Sequence, residues 1–298
     1  MGIVSPWATV CLCLVLAASG LLLPGRRCLR GSTLMAPWAW CWVSLWSLAL
    51  MEISRGDGLE GSTAWYFCLG VSTILPGMAL LGAQRPHDRI WQFVVLSLWV
   101  ILVLPAVKNI LLEPGSIFQL HPAWGWFLWL LILLVWLNRI GTRYWCAALL
   151  VAAGQCLVLA GHLPGLKHEL GGVGTLSGLG CFTVAVLVVQ LQLRGATQST
   201  VGFDRAWIDF RDQFGTLWAL RVADRINMLA ERQQSNVRLT WQGLRDDAED
   251  NQVPQLDVET EAILHQNLKN LLRRFVPIDW IAARLPVAAD SVVDERGS

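Results

Sequence analysis

From Trp124 to Trp136 the chain reads WGWFLWLLILLVW, thirteen residues without a charge, an amide or a proline. Such a run has no polar face to offer water, so it is either enclosed by other helices or turned to lipid. It lies within one of seven apolar stretches, at about 3–23, 34–51, 62–83, 90–107, 117–137, 144–163 and 170–193. Each comes near the ~20 residues that carry a helix across ~30 Å of hydrocarbon at ~1.5 Å per residue. The sequence therefore predicts an all-α fold, a polytopic bundle of seven transmembrane helices followed by a small, mainly helical cytoplasmic domain. A composition of 54% apolar and 15% charged residues belongs to the same class.

The first stretch ends in small residues, as a signal peptide does, but Arg26, Arg27 and Arg30 follow it instead of preceding it. It is expected to be retained as a span with its amino end outside. Loop charges set the rest of the orientation. Arg26, Arg27, Arg30, Arg85, Arg89, Arg139 and Arg143 fall in the loops assigned inside, against Arg55, Lys108 and Lys167 in those assigned outside. That bias predicts the amino end out and the carboxyl end in, and the short loops with a compact polar tail favour a bacterial inner membrane. Trp7, Trp65, Trp91, Trp124, Trp126, Trp136 and Trp145 stand near span ends, where an indole anchors at headgroup level.

Within the spans, Pro76 followed by Gly77 removes a helix hydrogen bond and predicts a kink in the third. Gly174 and Gly178 form a GxxxG spacing in the glycine-rich seventh, which is expected to be the central packing helix, approached closely within the same chain. Gln155 is read as a helix-to-helix hydrogen bond. No Asp, Glu, Lys or Arg occurs inside the seven cores as bounded here, which argues against a proton or ion pathway and leaves small-solute transport as an alternative only through backbone polarity. Seven of the eight cysteines lie in apolar stretches and are expected to be buried thiols without disulfides.

Residues 1–194 form the predicted bundle, 195–202 a linker, 203–286 the polar domain and 287–298 a frayed tail. Residues 195–298 carry 12 Lys/Arg against 16 Asp/Glu, which excludes nucleic acid as the expected partner. One long helix is predicted from Asp204 to Glu231, its apolar stripe led by Phe203, Trp207, Phe210 and Phe214 and expected to rest partly on the membrane or the inner loops. Arg205 with Asp209 and Arg221 with Asp224 are spaced as pairs on its polar side. A short strand over Val237–Trp241, a helix from Asp257 to Arg273 and a last short helix opened by Pro277 complete the domain. Arg221 and Arg225 are candidates for docking to acidic proteins or lipid headgroups.

Chemistry-bearing motifs are few. The polar domain holds no P-loop, GxGxxG after a strand, HExxH, CxxC or GxSxG, and His265 is a lone helical histidine. Under the assigned topology His121, His162 and His168 share the outer rim, a set that could ligate haem or a transition metal. The segment His121-Pro-Ala-Trp-Gly-Trp126 resembles the Trp-rich outer segments beside histidines in cytochrome c assembly membrane proteins, over fewer than ten residues and without the acidic end of that family's motif. A haem- or metal-handling membrane protein that uses these histidines is the alternative function. The residues themselves favour a non-enzymatic scaffold, assembly or signal-relay protein that acts through the bilayer and other proteins.

Overall fold

The computed structural model describes residues 6–56, 63–84, 88–166, 170–195, 202–233, 235–246 and 258–285. The chain divides into two compact units, Met1–Gly195 and Ala196–Ser298.

In the first unit every predicted apolar stretch carries a helix: α1 (Pro6–Leu29), α2 (Met35–Gly56), α3 (Thr63–Val71) continued by α4 (Leu75–Leu81), α5 (Asp88–Leu112), α6 (Pro122–Leu137), α7 (Trp145–Val158) and α8 (Gly171–Gly195). Helix is the structure that satisfies a backbone with no water beside it. Among the described residues four segments are long and apolar enough to cross a membrane: Pro6–Arg27, Thr63–Leu81, Arg89–Leu112 and Gly171–Leu193. Helix α2 is long enough but interrupted by tryptophans, serines and a carboxylate, while α6 and α7, at 16 and 14 residues, are short. The outer face of this unit is apolar, with Phe93, Leu104, Leu111, Trp126 and Leu130 exposed. A water-facing bundle would reverse that distribution.

Of the candidate spans the third is the most enclosed. Thr63–Leu81 has 67% of its apolar window buried, against 28% for Gly171–Leu193. Glycine explains the difference, because it brings one side of α8 onto α7 while Val173, Val184, Leu187 and Leu191 on its other side stay exposed. A Cβ placed on Gly178 would stand 2.9 Å from Gly154 O, and one on Gly154 would stand 3.0 Å from Gly178 O. The backbones of α7 and α8 therefore touch where those two glycines meet.

The proline break in the third segment is a 3-10 turn, Ser72–Ile74, rather than a simple bend. Pro76 has no N–H to offer Ser72 O, four residues back. The Ser44 hydroxyl of α2 donates to that carbonyl at 2.6 Å, and the Gln155 amide of α7 donates to Thr73 O at 2.8 Å. Gly77 fits Val135 of α6 so closely that an added Cβ would stand 2.5 Å from both of its methyls.

The second unit comprises α9 (Phe203–Phe214), α10 (Thr216–Arg232), the hairpin β1 (Val237–Thr240) and β2 (Gly243–Asp246), α11 (Val258–Leu272) and α12 (Ile278–Ala282). The expected single helix from 204 to 231 is thus two. Gly215 sits between them at φ 85, ψ 178, a conformation reserved for glycine. The break folds the aromatic stripe onto itself: Phe275 lies edge-on to Phe210, Phe214 and Trp218 at 5.1, 5.3 and 5.1 Å between centroids. Trp207, Phe210 and Phe214 are fully buried in the unit's own core, so this face is not left over for a membrane surface. Val237–Asp246 is an antiparallel pair and not a lone strand. Asp204 accepts from Leu244 N at 2.8 Å, and Asn227 brackets Leu239 from α10. The N-cap expected at Asp257 and the tail beyond Leu285 lie outside the described residues.

Candidate functional site

At the carboxyl end of α2 the helix continues beyond the apolar run as far as Gly56, which carries Glu52 and Arg55 into the bundle. Their spacing of three residues puts both on one face. Glu52 is 3% exposed and pairs with Arg55. The same guanidinium donates to Thr175 Oγ1 of α8 at 2.9 Å and lies over the Tyr66 ring of α3, 4.7 Å from its centroid. A Cβ on Gly172 would stand 3.3 Å from Glu52 Oε2, so this glycine admits the carboxylate to the first turn of α8. There the helix dipole and its unsatisfied N–H groups favour a negative charge. One ion pair therefore joins three helices. The sequence reading ended the span at Met51 and counted Arg55 as a loop charge, so it missed both. The available signal was that neither glycine nor proline stands between Met51 and Gly56.

Beside Tyr66, the next residue of α3 leads to the histidines. Phe67 meets the His162 ring edge-on at 4.8 Å, and Phe118 meets it at 5.7 Å. Gly125 of α6 approaches the His162 carbonyl, 2.8 Å from an added Cβ, and Trp129 donates to Pro164 O at 3.1 Å. The segments of His121 and His162 thus converge at one end of the bundle. Their rings have separate work: His121 Nδ1 caps α6 by accepting from Ala123 N at 3.2 Å, while His162 fills an aromatic pocket. His168 lies outside the described residues. Among the described residues no three His, Cys, Asp or Glu side chains come together as a metal site.

In the second unit, the spacing of Arg225, Met228, Leu229 and Arg232 makes one face of α10, and that of Asn267, Asn270 and Leu271 one face of α11, with Arg274 in the turn that follows it. The two faces line a cavity of about 280 Å³. Arg225 is part of it and Arg221 is not; the Arg221 guanidinium lies over Trp218, 4.9 Å from the ring centroid. Sequence reading missed Arg232 and Arg274 because one ends α10 and the other lies in the turn after α11, and they meet only in the fold. Asp209 accepts from Arg284 at 2.7 Å, a partner 75 residues away rather than the expected helical neighbour alone. The Arg284 guanidinium in turn covers Trp280 at 4.1 Å. His265 rests against Phe203, with ring centroids 5.6 Å apart.

Compared with known proteins, the chain matches no protein family, no curated protein and no solved structure.

Proposed function

We propose that the chain is a seven-span protein of a bacterial inner membrane, amino end outside and carboxyl unit in the cytoplasm, that works through interaction. It serves as a scaffold, assembly partner or signal relay and carries out no catalysis of its own. Its partners are the bilayer and other membrane or cytoplasmic proteins, not nucleic acid. The observation that carries the reading is the break at Ser72–Ile74. A discontinuous helix is where a transporter would bind its solute, and here Ser44 and Gln155 donate to the two carbonyls, so side chains of the bundle occupy the position. The Glu52–Arg55 pair is likewise tied to Thr175 and Tyr66, as a fixed cross-link would be.

Cys156, one residue after Gln155 in α7, reports on this depth. In a chain with Cys156 as its sole cysteine, a membrane-impermeant maleimide should leave the thiol unlabelled in sealed vesicles of either orientation. The same reagent should label it after denaturation. Labelling of the folded protein from either side would mean a water-filled path to the break and would replace the scaffold reading with small-solute transport.

A further inference from the structure

The cavity between α10 and α11 stands out electrostatically from the unit that contains it. Residues 195–298 carry 16 Asp/Glu against 12 Lys/Arg, yet the eight lining residues include three arginines and no carboxylate. Arg225, Arg232 and Arg274 are exposed at its rim, two from α10 and one from the turn after α11. Like charges gathered this way repel one another in the empty protein, and an anion of matching charge removes that repulsion. Asn267 and Asn270 add neutral amide groups, and Gln266 occupies Asn270 Oδ1 at 3.4 Å, which leaves the amide nitrogen as its donor end. Met228, Leu229 and Leu271 supply an apolar lining.

Guanidinium groups present paired N–H donors matched to the oxygens of a phosphate, and three of them match a multiply charged anion better than a single carboxylate. A cavity of about 280 Å³ admits a phosphate with its ester substituent. We propose that this groove binds a phosphate ester, with the phosphate held by Arg225, Arg232 and Arg274 and the substituent against Met228 and Leu271. The phosphate can come from the headgroup of an anionic phospholipid or from a soluble phosphate compound. The proposal deepens the interaction reading by giving the cytoplasmic unit a ligand, and it does not depend on the number of spans.

The test uses the full chain in a neutral detergent, titrated separately with dioctanoyl phosphatidic acid and with pyrophosphate. Bound species are counted by native mass spectrometry. Arg225→Gln/Arg274→Gln is compared with Arg205→Gln/Arg238→Gln, which removes equal charge from elsewhere in the same unit. The expected result is at least a tenfold loss of affinity in the first double variant and less than a twofold change in the second. Loss seen with phosphatidic acid alone assigns the source to a lipid headgroup, and loss seen with pyrophosphate as well assigns it to phosphate compounds in general. Binding of neither probe, or equal weakening in both variants, overturns the proposal. The titration needs neither a bilayer nor a topology, so its failure is distinct from failure of the scaffold reading, which Cys156 decides.

Discussion

Taking the carboxylate from Glu52 leaves the Arg55 guanidinium facing Tyr66 and Thr175 with its counter-charge gone. Breaking a buried pair by removing one partner typically costs roughly 3 kcal/mol or more. Arg55 keeps a side-chain exposure of 23%, so water recovers part of that and the loss for Glu52→Gln should be about 2 kcal/mol. The double variant Glu52→Gln/Arg55→Met removes both charges and should melt above the single variant, though below the parent. Thermal unfolding of the full chain in detergent reads this directly; equal midpoints for the single and double variants would show that the pair is not what joins α2 to α8. The pair was hidden in the sequence because the apolar stretch ends at Met51 while the helix runs on to Gly56. Gln155 was legible, because a lone amide in an apolar helix needs a partner in its own bundle, and it has one in Thr73 O.

For the helices, glycine is the deciding residue, and the structure separates those that hold a contact from those that do not. Gly178 faces Gly154 O and a Val158 methyl, whereas Gly180, two residues on and on another side of α8, has open space. Gly178→Ala should therefore force α7 and α8 apart and destabilise the bundle by roughly 1–3 kcal/mol, the range for overpacking. Gly180→Ala should be neutral or add up to about 1 kcal/mol through helix propensity. Melting of the two variants side by side measures it, and similar losses in both would mean that the α7–α8 contact is not set by Gly178. The GxxxG spacing was visible in sequence, but its partner was not: Gly154 stands alone in α7 with no spacing to advertise it. The division at Gly215 was signalled by the glycine alone. The apolar spacing runs smoothly from α9 into α10, and the Phe275 ring from the far end of the unit packs on both helices once Gly215 has turned the chain.

For the molecule as a whole, the proposed topology turns on α6 and α7. At ~1.5 Å per residue, 16 and 14 residues reach only about 24 and 21 Å, short of ~30 Å of hydrocarbon. Two arrangements follow: both helices cross, with the bilayer thinned around them, or the pair forms a hairpin that enters and leaves on one side. Both leave the two ends of the chain in opposite compartments, since either two crossings or none are counted, so a test of the termini alone does not separate them. The charges at the tip do. Arg139 and Arg143 stand between α6 and α7, and a hairpin ending mid-membrane would bury both guanidinium groups at a cost of at least ~2.5 kcal/mol each. Crossing puts them in water on the inner side, where the other loop arginines lie, and so is the arrangement expected. Alkaline phosphatase fused after Ser116 should be active, and after Arg143 or Gly195 inactive, with green fluorescent protein giving the complementary pattern. Phosphatase activity at Gly195 would overturn the inward placement of the polar unit. Failure of both reporters at Arg143, with Gly195 still inside, would reduce the count to five and leave α6 and α7 as a re-entrant pair.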